Sequence, residues 1–423
     1  MKKSHLRPVL ASALSLLLLL LTACGVEVPI QTTLPEAEGL RIAVASDLHF
    51  DPEHTDKKSG LGAVAYNPEL IDALLYDAKA QGAQLLLLTG DIVNAGKDDF
   101  HAALAEKLRA AEDSGVTVYV LPGNHDLAPV TQREFAALYR DFGYAEASSR
   151  DEASLSYCVM REDLCLLMLD TGGYDAEAID LPDAAKRTND EAFLSEETLQ
   201  WAEQMLSEAQ EKQLPVLCCG HFNLLTEESR DPARSGLYLE NGEKMAALLR
   251  KYNVPLYVSG HLHTRLVLQE QGLTELVTEY LLNYPTGYSM LDLTEDAITY
   301  TPRRVDADAW AEATGQKDRV LLHFSQWQQK QLKQYSVQNI NDMAEKNPAT
   351  HRAMKRAADF FYAAMNAYWS GELAEQRETL KAMPGYEPFF RIAKSYAYEW
   401  WLRDLIDNAS PLLGGFRLEL PST

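Results

Sequence analysis

A chain of 423 residues has room for two or three domains and a core of good size. Apolar residues make up 46% and charged residues 24%, which suits a globular protein and excludes both a disordered chain and a multi-span membrane protein. The 39 Lys and Arg face 62 Asp and Glu, and the net charge of −23 repels polyanions, so no nucleic acid is expected as a partner, while small phosphate esters stay open.

In chain order, Lys2, Lys3 and Arg7 precede an apolar run that ends near Leu21. This is a charged region followed by a hydrophobic one shorter than the ~20 residues that span a bilayer. The run closes in Leu21-Thr22-Ala23-Cys24-Gly25. That stretch resembles the bacterial lipobox, Leu-x-small-Cys, where the signal is cut and the Cys thiol receives a diacylglycerol. Residues 1–23 are therefore expected to be a lipoprotein-type signal peptide, with a plain signal peptide or a short anchor helix as the alternative. Residues 24–39 read as a tether. The mature protein is expected to be exported and lipid-anchored through Cys24 to the extracytoplasmic face of a bacterial membrane, since two or more acyl chains hold a protein there stably.

Ile42–Ser46 reads as an apolar strand. Asn67-Pro68 then starts a helix, with Asn as the cap and Pro at the first helical position. Leu70, Leu74, Leu75 and Ala78 share one face of it. Leu85–Leu88 is a buried strand ending in Thr89-Gly90-Asp91. A helix near Asp98–Asp113 leads to the strand Val116–Leu121, which ends in Pro122-Gly123-Asn124-His125-Asp126. Cys158 and Cys165 flank Arg161-Glu162-Asp163, a hairpin turn where either a cross-strand disulfide or two thiols fit the spacing. Val216–Cys219 ends in Gly220-His221, and Leu256–Ser259 ends in Gly260-His261-Leu262-His263. Cys218 and Cys219 lie in an apolar run as buried strand residues, and no cysteine spacing suggests a structural zinc site. Ser289–Thr294 and Ala297–Thr301 form an antiparallel hairpin. Beyond Val305 only helices are expected, near Gln316–Glu345, Ala349–Ser370, Leu373–Ala382 and Glu387–Asn408. Their aromatic residues read as the core of a small helical domain. The chain thus divides into 40–305, of α/β type, and an all-helical 306–423.

Short apolar runs separated by helices indicate parallel strands buried on both faces. In such sheets functional groups collect beyond the carboxyl ends of the strands. Each polar cluster named above sits at such an end. Asp47, His49, Asp91, Asn124, His221, His261 and His263 are carboxylate, imidazole or amide groups that ligate divalent metals. The mixture of N and O donors suits Mn, Fe, Zn or Co rather than Ca or Mg. Asp47 and His49 are two apart, as are His261 and His263, so each pair projects to one side of an extended segment. Taken singly these signals are weak, since a lone His is more often packed or exposed than a ligand. The force lies in their order and their shared position.

The blocks Asp47-Leu48-His49, Gly90-Asp91-Ile92-Val93-Asn94, Gly123-Asn124-His125-Asp126, Gly220-His221 and Gly260-His261-Leu262-His263 resemble the signature of the calcineurin-like metallophosphoesterases. The resemblance covers roughly residues 40–305. It implies a four-layer α/β/β/α sandwich with two mixed sheets. It also implies two metal ions: the first held by Asp47, His49 and His263, the second by Asn124, His221 and His261, with Asp91 bridging both. His125 would be the general acid, and Asp126 would steady His125 or its loop. Two metals about 3.5–4 Å apart would share a water of lowered pKa, and the hydroxide would attack phosphorus in line with the leaving group. No nucleophile motif such as Gly-x-Ser-x-Gly is present.

His49 and Asn94 stand where purple acid phosphatases carry Gly and Tyr, and Asn94-Ala95-Gly96 departs from the Asp-Arg-Gly run of Ser/Thr protein phosphatases. The first two blocks look more like the class III cyclic-nucleotide phosphodiesterases, among them exported bacterial members with a C-terminal helical domain. The resemblance therefore implies a phosphodiesterase acting on a small diester, with a cyclic nucleotide as one candidate. A surface phosphomonoesterase or nucleotidase uses the same metals and is the alternative. A binding protein on an inactive scaffold would not need every ligand position filled.

Overall fold

The computed structural model describes residues 39–54, 63–127, 129–172, 192–225, 238–370, 372–408 and 414–420. The expected signal peptide, Cys24 and all of the tether but Gly39 lie outside the described residues. Strands β1 (Leu40–Ala45), β2 (Leu85–Thr89) and β3 (Thr117–Leu121) are apolar runs, buried at nearly every position and paired in parallel. Helices α1 (Asn67–Ala80) and α2 (Asp98–Asp113) make the crossovers between them. Helix α1 buries Leu70, Ile71, Leu74 and Ala78, a stripe of helical period; Leu75, expected on that face, is only partly covered.

A short α3 (Gln132–Leu138) starts on a capping box of Thr131 and Glu134. After it come β4 (Ser149–Arg150), β5 (Tyr157–Met160) and β6 (Cys165–Met168). Then follow α4 (Glu196–Glu211), β7 (Val216–Cys219), α5 (Gly242–Lys251) and β8 (Leu256–Ser259). The α/β part closes with β9 (Leu266–Glu270), β10 (Leu273–Val277), β11 (Gly287–Leu293) and β12 (Ala297–Arg304). Helices follow: α6 (Ala307–Ala313), α7 (Phe324–Lys346), α8 (His351–Ser370), α9 (Leu373–Lys381), α10 (Tyr386–Ile392) and α11 (Ala397–Asn408). A last strand, β13 (Phe416–Glu419), ends the described chain.

The strands make two mixed sheets, ordered β13-β12-β11-β1-β2-β3 and β4-β5-β6-β7-β8-β10-β9. With helices outside them they form the expected four-layer sandwich. Across the sheets, the Tyr157 hydroxyl of β5 donates to the carbonyl of Val120 in β3 at 2.8 Å. Outside the second sheet, Leu199, Met205 and Leu206 of α4 and Met245 and Leu249 of α5 pack over Leu167, Cys218 and Tyr257. Each such side chain contributes about 1.5–3 kcal/mol through burial. The helical region has its own core, built from Phe360, Phe361 and Met365 of α8, Phe389 and Phe390 of α10 and Leu402 and Ile406 of α11. Its aromatic residues are core, as the sequence suggests.

Three local expectations change. Asn67 does not cap α1: the N-cap is Tyr66, without a side-chain bond, and the Asn67 amide is engaged elsewhere. The long helices expected over 316–345 and 387–408 are shorter: α7 starts only at Phe324, and α10 and α11 are separated by a turn in which Ser395 takes φ +69°. The strand β13 was not expected at all; it pairs antiparallel with β12, Ala297 opposite Glu419 and Tyr300 opposite Phe416, and covers what would be an open sheet edge. The hairpin at 161–163 is present, and the Cys158 and Cys165 sulfurs meet at 3.5 Å as buried free thiols rather than as a disulfide.

Candidate metal centre

The eight singled-out residues all leave the carboxyl ends of β1, β2, β3, β7 and β8, and the structure brings them to one place. The loops are laddered together by backbone bonds: Asp47 N–H donates to Gly90 O at 3.0 Å, His49 N–H to Asp91 O at 2.9 Å, and Gly260 N–H to His221 O at 3.0 Å. Asp47, His49, Asp91, His261 and His263 all have positive φ, between 41° and 67°. Left-handed backbone is costly for residues with a Cβ and persists where the surroundings over-determine it, which is common at functional sites. Gly90 has φ +98°, and a Cβ there would meet the His221 ring at 2.5 Å, so only glycine fits between that imidazole and the strand end.

Two sets of donors emerge. Asp47, His49, Asp91 and His263 each offer a ligand atom within 4.8 Å of one another, and so do Asp91, His221 and His261. Asp91 belongs to both. Its Oδ2 lies 3.6 Å from His49 Nε2 and 3.3 Å from His221 Nε2. Asn124 joins the second set, with its Oδ1 3.2 Å from His221 Nε2. In the first set His263 Nε2 is 3.2 Å from Asp47 Oδ1 and 3.1 Å from His49 Nε2. His125 stands apart, its ring 45% exposed and its Nε2 4.0 Å from Asp91 Oδ2.

The donor set fits divalent metal ions. Asp47 Oδ1 and His261 Nε2 are buried with no hydrogen-bond partner among the described residues, a costly state unless another atom completes them. Burial alone would raise the Asp47 carboxyl, but the imidazoles of His263 and His49 that face it outweigh burial and hold it well below the usual range. Burial would also raise Asp91, and the charges of His221 and His49 overcome it. Burial next to His221 lowers His261 to about 3, which leaves a neutral imidazole with a free lone pair. His221 goes the other way, to about 9, because the Asp91 carboxylate outweighs burial. Its Nδ1 faces the carbonyl of Thr89 at 2.9 Å, the kind of outer bond that fixes a ligating imidazole in one orientation.

Around this centre lie supports with weak sequence signals. The Asn67 amide donates to Leu48 O at 2.8 Å and accepts from Asp51 N–H at 3.1 Å, so it pins the loop that carries His49. Asp126 accepts from the N–H groups of Gly123, Val93 and Ile92 and so ties the second loop to the third. It steadies the loop rather than the His125 ring. Glu275, fully buried in β10, accepts from Asn223 Nδ2, Ser259 Oγ and the N–H groups of Leu224 and Leu225, and fixes the chain just after His221. Burial outweighs these donors and lifts its carboxyl to about 6. The stretches 173–191 and 226–237, which follow β6 and His221 in the chain, lie outside the described residues.

Comparison with known proteins finds the following likenesses. Residues 306–410 match a family model described as the C-terminal domain of cyclic nucleotide phosphodiesterase. A Fibrobacter succinogenes protein named "Probable cyclic nucleotide phosphodiesterase" is 25% identical over 254 residues, 57% of this chain and 80% of its own. An Arcobacter nitrofigilis protein named "Probable glycerophosphodiester phosphodiesterase GpdQ" is 26% identical over 271 residues, 60% of this chain and 85% of its own. A solved structure, a dimetal phosphatase from Danio rerio, superposes with a TM-score of 0.47 at 13% identity, over 64% of this chain and 97% of that one. The family model described as calcineurin-like phosphoesterase matches residues 40–265, a span that holds every residue of the two donor sets, and the chain belongs to that family of metal-dependent phosphoester hydrolases.

Proposed function

We propose that the protein hydrolyses a small phosphodiester, with a cyclic nucleotide as the first candidate, at a centre of two divalent ions of the Mn, Fe or Zn type. The observation that carries this reading is the sharing of Asp91 between two donor sets, with the exposed imidazole of His125 beside them. Asp47, His49 and His263 would hold one ion, Asn124, His221 and His261 the other, and Asp91 both. When bound, such a pair supplies Lewis acidity toward the phosphoryl oxygens and a water of lowered pKa. The chain supplies the rest. Its carboxylates and imidazoles fix the spacing of the pair through buried, hydrogen-bonded loops. His125 is anchored by its own N–H, which donates to Asp91 Oδ1 at 2.8 Å. Its ring, exposed beside the two donor sets, would give a proton to the leaving alkoxide, and the alcohol would depart neutral. The diester preference is supported by the names of the two relatives, which both speak of diesters. Residues 25–423 assayed with Mn²⁺ should turn over bis(p-nitrophenyl) phosphate at least about tenfold faster than p-nitrophenyl phosphate, and the reverse ranking would make the protein a phosphatase or nucleotidase.

The lipobox-like run supports the further proposal that Cys24 carries lipid and holds the enzyme at the outer face of a bacterial membrane. Full-length protein expressed in a bacterial host with labelled palmitate should incorporate label and sediment with membranes. Cys24→Ala should lose the label, and a labelled variant would end the proposal.

A further inference from the structure

The imidazole of His263 differs from that of His221 in what orients it. His221 is fully buried and bonded through Nδ1 to Thr89 O. His263 is 41% exposed, takes φ +55°, and has no outer hydrogen bond to Nδ1 among the described residues. Its ring lies flat against that of Tyr280, centroids 4.5 Å apart and planes 17° from parallel. The same Tyr280 ring presents to His49 in an edge contact at 5.4 Å. Tyr280 also forms a backbone bridge with Ser46, the residue before Asp47. One residue therefore touches the loop of Asp47 and His49 through its backbone and both first-set imidazoles through its ring. Aromatic contacts of this kind have preferred geometries, so they hold a ring in a set plane.

The two residues that follow His263 are held from the helical region. Thr264 Oγ1 donates to the Tyr368 hydroxyl near the end of α8. Arg265, buried and paired with Glu279, donates through Nη1 to Ser370 O at 3.4 Å. Arg304 of β12 reaches the same residue, donating to Ser370 Oγ at 2.7 Å. The end of α8 is thus clamped on the stretch that follows His263, while Glu279 and Tyr280 sit side by side in sequence.

We propose that Tyr280 is a positioning residue for the first metal ion, its ring setting the plane of the His263 imidazole, and that the end of α8 braces this arrangement from the helical region. The proposal rests on the two-metal reading above. A ligating imidazole needs a partner that fixes its rotation, and loss of such partners typically weakens metal affinity about 10–100-fold. A flat aromatic face can do for a half-exposed imidazole what a carbonyl does for the buried His221.

The test uses the full mature chain stripped with chelator and titrated with Mn²⁺ by calorimetry, with metal content after desalting and electron paramagnetic resonance as second readouts. Wild type should bind two ions and show the spectrum of a coupled pair. Tyr280→Ala should hold one ion as before and bind the other about 10–100-fold more weakly, with an uncoupled six-line signal. Tyr280→Leu, which keeps bulk and loses the flat face, should behave the same if the Ala variant folds poorly. Tyr280→Phe should restore both sites, and Tyr368→Phe should weaken only the first. Two ions bound with unchanged affinity in Tyr280→Ala or Tyr280→Leu would overturn the proposal, as would failure of Tyr280→Phe to restore them. A wild type that binds no metal would instead sink the two-metal reading itself.

Discussion

Asp91→Asn should abolish turnover by at least about 10³-fold, near 4 kcal/mol of transition-state stabilisation, while leaving the protein folded. The substitution keeps shape and removes one negative charge from a place where both donor sets meet. Asp91 Oδ2 faces His49 on one side and His221 on the other, and its Oδ1 accepts the N–H of His125. An amide can still accept from that N–H, so the third loop should keep its place. It cannot carry charge to two cations. Metal content should fall from two ions per chain to one or none. Turnover and metal content of Asp91→Asn, measured on the same preparation, check this together. Two ions and full activity would show that Asp91 is a structural carboxylate only.

His125→Ala should separate chemistry from metal binding. Its ring is in neither donor set, so two ions should remain. The rate with an alkyl leaving group should fall about 10²–10⁴-fold, the usual worth of a positioned proton donor. A p-nitrophenolate leaving group needs little protonation, so the loss there should be much smaller. KM should change little for either. Steady-state kinetics with paired alkyl and nitrophenyl diesters decide it, and an equal loss on both would mean that His125 orients substrate instead of donating a proton.

The contrast between these two residues and their supports shows what a sequence exposes. That Asp47, His49, Asp91, Asn124, His125, His221, His261 and His263 gather in one place was legible because each closely follows an apolar run, in a layout where parallel strands end on one side. Local pattern and site location coincide there. Asn67 was misread because a cap and a loop anchor share the same residue type before a proline, and only tertiary contact separates them. Glu275 sits in the apolar-looking β10, 51 residues from the N–H group of Leu224 that it receives. Tyr280 is one of 20 tyrosines, and nothing in the chain nearby marks it as the one beside His263. The strand β13 has four residues and a partner more than a hundred positions earlier, which leaves no local trace.

That last strand changes what the helical region is in topological terms. Strand β12 leaves the sheet at Arg304, and β13 returns antiparallel beside it with Phe416 opposite Tyr300. The whole helical segment is therefore the connection of an enlarged β-hairpin, entering and leaving at the same end of two neighbouring strands. An insertion of this kind has both of its ends sewn into the catalytic sheet and cannot swing out as a tail on one hinge. Cutting the chain after Val305 would strip an edge strand along with the helices and leave β12 paired with β11 alone, its outer edge open. Excising the helices and joining the two strands through a short turn would leave the sheet whole.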